Sequence, residues 1–282
     1  MTAIPSLFVS HGAPELILGR SPARDFLEDL GRGLARPRAV VVASAHWASG
    51  RPLVGGADRP RTLHDLCAGA QGTCRIRYPA PGDRALAARV AGLLQAAGIP
   101  ASIDPERGLD HGAWVPLRLM FPDADIPVVP LSIQPGQGPL HHLAMGRALA
   151  PLAADGVLVL GSGGVTSNIH ASHGRAEDAP VPAWVTQFQD WLADRLLDIR
   201  LLDGDLSGLT AGLERAPARR ENHPTPEHLL PLFVALGAAG DGVAVERLHA
   251  SVTHGALAMD AYAFAPAARP RPLRTASLEA VS

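Results

Sequence analysis

Imidazole is the commonest neutral metal ligand and the usual acid–base group near neutral pH, and this chain of 282 residues carries twelve histidines. His11 stands in Ser10-His11-Gly12-Ala13-Pro14, directly after the short apolar run Ile4 to Ser10. His46 stands in Ser44-Ala45-His46-Trp47, directly after the run Arg38 to Ala45. A lone histidine in such a place simply caps a strand end, but two at equivalent strand ends point to a shared metal. A third donor is offered by Asn222-His223-Pro224-Thr225-Pro226-Glu227-His228, where prolines stiffen the approach and put His228 in the expected first turn of a helix. Read alone, that segment is equally an exposed helix start, with Glu227 facing the helix dipole. His111, in Asp110-His111-Gly112-Ala113-Trp114, has an acid before it and an apolar stretch after it, which suits a substrate or acid–base residue and also a hydrogen-bonded core histidine. His64, in Leu63-His64-Asp65, admits the same two readings. His141 and His142 read as an exposed helix start, and His249 and His254 fall in no pattern.

Strands and helices must alternate to bring these residues together. Ser21-Pro22 supplies a cap and first-turn proline for a helix to about Leu34, and Arg38 to Ala45 reads as a strand covered on both faces. Asp83 caps a helix with Leu86, Val90, Leu93, Leu94 and Ala97 on one face and Gly98 as its stop. Ile126 to Ile133 reads as a strand and His141 to Ala154 as a helix. Val157 to Leu160 reads as a buried strand running into the loop Gly161-Ser162-Gly163-Gly164. Trp184, Phe188, Trp191 and Leu192 mark a helix. Thr225-Pro226 starts another, with Leu229, Phe233 and Leu236 on its face and a bend at Pro231. Val243 to Leu248 and Ala258 to Phe264 close the sheet. The pattern predicts a single-domain α/β three-layer sandwich with a central mixed, largely parallel sheet and helices on both faces. It fills residues 1–266, with a flexible tail over 267–282. In such a fold the ligand crevice lies beyond the carboxyl ends of the strands. The glycine loop lacks the lysine and spacing of a nucleotide loop; its glycines are expected to bring Thr166, Ser167, Asn168 or His170 close to that crevice.

Composition narrows the partners. Lys plus Arg number 25 against 27 Asp plus Glu, so there is no electrostatic footprint for nucleic acid or an anionic membrane, and a small molecule is the expected partner. Cys67 and Cys74 make a poor disulfide framework for a chain of this length, which favours a reducing compartment. With no basic segment leading an apolar one at the N-terminus and no apolar run of spanning length, the expected location is cytoplasmic. Nothing in the pattern sets an oligomeric state.

Taken in order, SHGAP at Ser10, SAHW at Ser44, LDHGAW at Leu109, GSGGVTSN at Gly161 and HPTPEHLLPL at His223 resemble the LigB-like, DOPA-dioxygenase type of extradiol ring-cleavage enzyme. TLHD at Thr62, YPAPGD at Tyr78 and FPDADIPVVPLSI at Phe121 fit in the same order, so the resemblance spans nearly the whole chain. It implies His11, His46 and His228 as ligands of Fe(II), with Zn(II) also acceptable to three imidazoles and Glu227 as the alternative third donor. It further implies a small aromatic diol and O₂ as substrates, with His111 near the diol. One position departs from the pattern: Ser167 stands in Thr166-Ser167-Asn168 where the resembled family has an acid–base histidine. A serine hydroxyl is a poor proton carrier near neutral pH, so His170, His173 or His111 is expected to take that role. The rival readings are a relative that keeps the metal but has lost catalysis, and a metal-assisted hydrolase.

Overall fold

Val40 and Val42 face one apolar layer and Val41 and Ala43 the other, all fully buried, so this run needs helices on both sides of its sheet. The computed structural model describes residues 4–66, 72–198 and 207–266. In chain order the elements are β1 (Ser6–Ser10), α1 (Pro22–Gly33), β2 (Ala39–Ala48), β3 (Leu53–Gly55), α2 (Arg84–Ala96), β4 (Ser102–Asp104), α3 (His111–Met120) and β5 (Val128–Ile133). There follow α4 (Gly138–Leu149), β6 (Val157–Gly163), α5 (Ile169–Ser172), α6 (Ala183–Asp198), α7 (Ser207–Leu213), α8 (Arg219–Asn222) and α9 (Leu230–Ala238). The last are β7 (Val243–His249), the short pair β8 (Val252–Thr253) and β9 (Leu257–Ala258), and β10 (Ala261–Pro266).

The main sheet runs β4-β3-β5-β2-β6-β1-β10-β7. Its centre, β5-β2-β6-β1, is parallel, while β3 pairs antiparallel with β5, and β10 pairs antiparallel with both β1 and β7. α1 and α3 cover one face and α2, α4 and α9 the other, giving the mixed three-layer sandwich that the sequence predicts. Strand β6 lies between β1 and β2, with Ser10 opposite Gly163 and Ser44 opposite Ser162. The ends of β1 and β2 therefore open on one rim.

Several boundaries differ from expectation, each for a local reason. Ser21 and Asp83 do cap α1 and α2, accepting from Arg24 and Leu86 N–H. Strand β2 extends to Ala48, so His46 lies inside it, where pairing with β5 is interrupted between Ala43 and Ala48. The glycines Gly161 and Gly163 belong to β6 and not to a loop. Helix α3 escapes a periodicity reading because it is buried almost all round and contains Pro116; Asp110 starts it by accepting from Ala113 N–H. Pro231 falls in the first turn of α9, where a missing N–H costs nothing, so it starts this helix and does not bend it; His228 lies in the turn before. Cys74 is disulfide-bonded, which corrects the expectation of reduced cysteines and removes that argument for a reducing compartment; Cys67 lies outside the described residues. The tail expected over 267–282 also lies outside them. Among the described residues no helix is long and apolar enough to cross a membrane.

His142 corrects another expectation. It is fully buried, its Nδ1–H donating to the Gly138 carbonyl at 2.6 Å and its Nε2 accepting Gln134 N–H at 3.0 Å. This turns the ring into a tie between the end of β5 and the start of α4. Burial lowers its pKa to about 4. A pKa depressed in the folded state stabilises the fold above the unfolded value of about 6.5 and loses that contribution as pH falls toward 4. His142→Gln is expected to flatten the acid side of the stability curve between pH 6.5 and 4, where the parent loses up to about 3 kcal/mol through this group. Urea unfolding across that range checks it; parallel curves for parent and variant would assign the acid loss to other groups.

Candidate metal centre and active site

Four histidines meet where β1, β2 and α3 converge. His11 follows β1 directly, its N–H donating to the Gly163 carbonyl at 3.0 Å. His46 reaches the same point from the irregular end of β2, and the two Nε2 atoms are 3.0 Å apart. His228 comes from the turn before α9, its ring 5.0 Å from that of His46 and 5.6 Å from that of His11. Donor atoms of these three lie within 4.8 Å of one another. His111, the first residue of α3, stands 3.8 Å from His46, ring centre to ring centre.

Glycine makes the convergence sterically feasible. A Cβ on Gly163 would collide with the His228 carbonyl oxygen, which also accepts Gly164 N–H at 2.9 Å, and a Cβ on Gly161 would strike the Pro231 carbonyl. The glycines of β6 therefore admit the His228 turn and the start of α9 against the sheet. Gly112 does the same for α3, because a side chain there would press on Ser44 Oγ, His46 and His11. Asp110 bonds the Ser44 hydroxyl at 2.6 Å and pairs with Arg107, and Ser44 Oγ in turn accepts His46 N–H, so the β2 irregularity is held from outside.

Hydrogen bonding fixes the tautomers. The Ser162 hydroxyl donates to the Gly112 carbonyl, so its oxygen accepts from His11 Nδ1–H at 3.0 Å and leaves His11 Nε2 with a free lone pair. Burial, followed by repulsion from His46, His111 and His228, holds the pKa of His11 well below its ordinary value. Burial and the same kind of repulsion lower that of His46 to about 3. Both rings are therefore neutral at physiological pH and available as ligands. His228 Nδ1 is buried without a hydrogen bond; Glu227 Oε1 lies 3.5 Å from it, too far for a firm one, and itself accepts from the Thr225 hydroxyl. Three converging imidazoles, one with an orphaned buried nitrogen, fit a divalent metal of the zinc or iron type.

A second set, His46, Asp65 and His111, also brings its donor atoms within 4.8 Å. Both carboxylate oxygens of Asp65 are committed to His111, one accepting its backbone N–H at 3.0 Å and the other its Nδ1–H at 2.9 Å. Burial disfavours the Asp65 carboxylate, yet these bonds outweigh it and hold the pKa at about 2. Asp65 thus orients His111 and leaves Nε2 as the ring's remaining proton-exchange atom. In the segment Leu63-His64-Asp65 it is the acid that faces the site, and not the histidine that the sequence alone suggests. His64 turns instead to the Ile76 carbonyl at 2.9 Å. Sequence alone gives Ser162 one signal, its place between two glycines at a strand end.

The four histidines line a cavity of about 200 Å³ whose other walls include Leu66, Thr166, Ile169, Leu257 and Met259. Ser167 lines it too, but its hydroxyl donates at 3.1 Å to Nδ1 of buried His223, which donates from Nε2 to the Val165 carbonyl. That hydroxyl ties the loop together. His170 and His173 are exposed and are not among the residues lining the cavity.

Residues 1–265 match the family model for the catalytic LigB subunit of aromatic ring-opening dioxygenase. The chain belongs to this family and is an extradiol, non-haem metal-dependent dioxygenase that takes a small aromatic substrate and O₂. It is 40% identical over 269 residues to a 4,5-DOPA dioxygenase extradiol of Portulaca grandiflora, covering 92% of this chain and 95% of the relative. It is 38% identical over 240 residues to the protein of that name from Escherichia coli K12, covering 84% and 86%. The solved structure of uncharacterized protein JW3007 from Escherichia coli K12 superposes with a TM-score of 0.76 at 35% identity, covering 92% of this chain and 99% of that one.

Ser162→Ala removes the acceptor that fixes His11, and the loss of such an outer contact to a ligand costs about 10–100-fold in metal affinity or activity. The variant is expected to fold and to lose its metal to a competing chelator at correspondingly lower chelator concentration. Affinity equal to the parent's would show that the tautomer of His11 needs no help.

Proposed function

We propose that the chain opens the ring of a catechol, with His11, His46 and His228 holding Fe(II) and His111 serving as the proton-transfer residue. The convergence of three imidazoles beside a fourth histidine clamped by Asp65 carries this reading. When bound, ferrous iron supplies sites for both diol oxygens and an electron path between ring and O₂. The chain's own residues do the rest. His11 and His46, being neutral, keep the centre free to accept an anionic diol. His111 exchanges a proton at Nε2 with a phenolic oxygen while the Asp65 carboxylate stabilises whatever positive charge the ring gains. Leu257 and Met259 keep water from the reacting ring. Ser167 and His170 do not provide the relay in this scheme, because one is bonded to His223 and the other is exposed away from the lining.

His11→Ala, His46→Ala and His228→Ala are each expected to abolish stoichiometric iron binding, and Glu227→Ala to retain it, by metal analysis of anaerobically loaded protein. Iron retained by His228→Ala but lost by Glu227→Ala would make the carboxylate the third ligand. Asp65→Asn is expected to keep its iron and to lose about 10–100-fold in turnover, read as oxygen uptake on adding 4-methylcatechol. Unchanged turnover would remove His111 from the chemistry.

A further inference from the structure

Resting on the reading of His46 as a metal ligand and His111 as the proton-transfer residue, we infer that Arg107 is a positioning residue that holds His46 in place between the metal trio and His111. His46 lies on a stretch of β2 that has no neighbour in the sheet. The ladder with β6 ends at Ser44 opposite Ser162, and the ladder with β5, broken after Ala43, resumes only at Ala48 opposite Ile133. Residues 45–47 are therefore without a register partner on either side, although the ring they carry meets His11 at 3.0 Å. Side chains supply what the sheet does not.

Arg107 reaches both flanks of that stretch. Its Nη2 donates to Asp110 Oδ2 at 2.5 Å, while Asp110 Oδ1 accepts the Ser44 hydroxyl at 2.6 Å and Ser44 Oγ accepts His46 N–H at 3.2 Å. On the other side of His46, the guanidinium carbon stands 4.7 Å from the centre of the Trp47 ring. Asp110 also caps α3, accepting Ala113 N–H at 3.2 Å, so the link that holds His46 holds the helix start that bears His111. Arg107 is itself anchored by its backbone N–H, which donates to Asp104 Oδ1 at 3.1 Å, at the end of β4. The Asp110 side chain is 1% exposed and that of Arg107 17%, and Arg107 Nε is buried with no hydrogen-bond partner. A buried pair with an unmet donor is a weak source of stability. What it supplies is geometry, because one planar cation meets a carboxylate and an indole at once.

The test titrates zinc-loaded protein with a competing chelator and follows the fold of each variant by urea unfolding. Arg107→Met keeps a stem beside Trp47 and removes the charge that pairs with Asp110. Ser44→Ala leaves that pair intact and cuts its link to His46. Each is expected to lower zinc affinity about 10-fold or more, the range for losing an outer contact to a ligand. The double variant is expected to bind no more weakly than the weaker single one, because both cuts fall on one chain of contacts. Arg107→Lys, which restores a cation beside Asp110, is expected to recover most of the loss. A residue that only stabilised the fold would move the urea midpoint of Arg107→Met and leave its zinc affinity at the parent's. Parent affinity in Ser44→Ala, losses that multiply in the double variant, or no recovery with lysine would overturn the proposal; should Arg107→Met fail to fold, Ser44→Ala decides it. His46→Ala separates this role from the reading beneath it. If that variant binds zinc as the parent does, both fall together; if it loses zinc while Ser44→Ala and Arg107→Met keep the parent's affinity, only the role of Arg107 falls.

Discussion

Two imidazole nitrogens 3.0 Å apart in buried surroundings tolerate each other only while at most one of them carries a proton, and that condition governs the rest of this molecule. Parallel pairing of β1 and β2 on either side of β6 forces the approach, since Ser10 and Ser44 sit opposite neighbouring residues of the same strand. Burial then keeps the rings uncharged. Ser162 turns His11 so that its lone pair faces inward, and Asp65 turns the fourth ring, His111. Each of these polar residues acts on an imidazole through a hydrogen bond, which is how a folded chain selects one tautomer and one ring orientation in advance of a metal.

Much of this arrangement was legible in the chain itself. The buried β-branched run of β2, the capped helices α1 and α2, and the alternation of apolar segments predict the sandwich, and a histidine at each of two strand ends places the centre. What stayed hidden depended on contacts between distant segments. Gly161 and Gly163 read locally as a loop, whereas their meaning lies in the His228 carbonyl and Pro231 carbonyl packed against them. His142 reads as exposed because it stands beside His141 at an expected helix start, but its two ring nitrogens close a β5-to-α4 connection. Asp65 was overshadowed by the adjacent His64, and only the position of α3 shows which of the two faces the site.

Where the sequence resemblance implies an acid–base histidine this chain has Ser167, and the structure commits its hydroxyl to a neighbouring ring. Buried His223 receives the Ser167 hydroxyl and bonds the Val165 carbonyl, so an imidazole remains beside the loop with both nitrogens in structural use. Burial lowers its pKa to about 4, in keeping with a ring that holds the backbone and carries no charge. Thr166 contributes on the other side, donating to the Ala256 carbonyl and accepting Ala258 N–H at 2.7 Å each, which binds the loop to β9. The wall of the cavity is thereby rigid at the position where the proton carrier of the resembled pattern would stand.

Strand β1 lies between β6 and β10, paired with Leu160 on one side and with Phe264 on the other. His11 is the first of the histidines to be synthesised, and its strand acquires its second neighbour only when β10 has been made. Such long-range pairing is entropically slow to form, and it delays completion of the trio until β6, the His228 turn and β10 are all in place. Before that pairing His11 and His46 lie on separate segments of the chain, and their donor atoms meet only once the sheet is assembled.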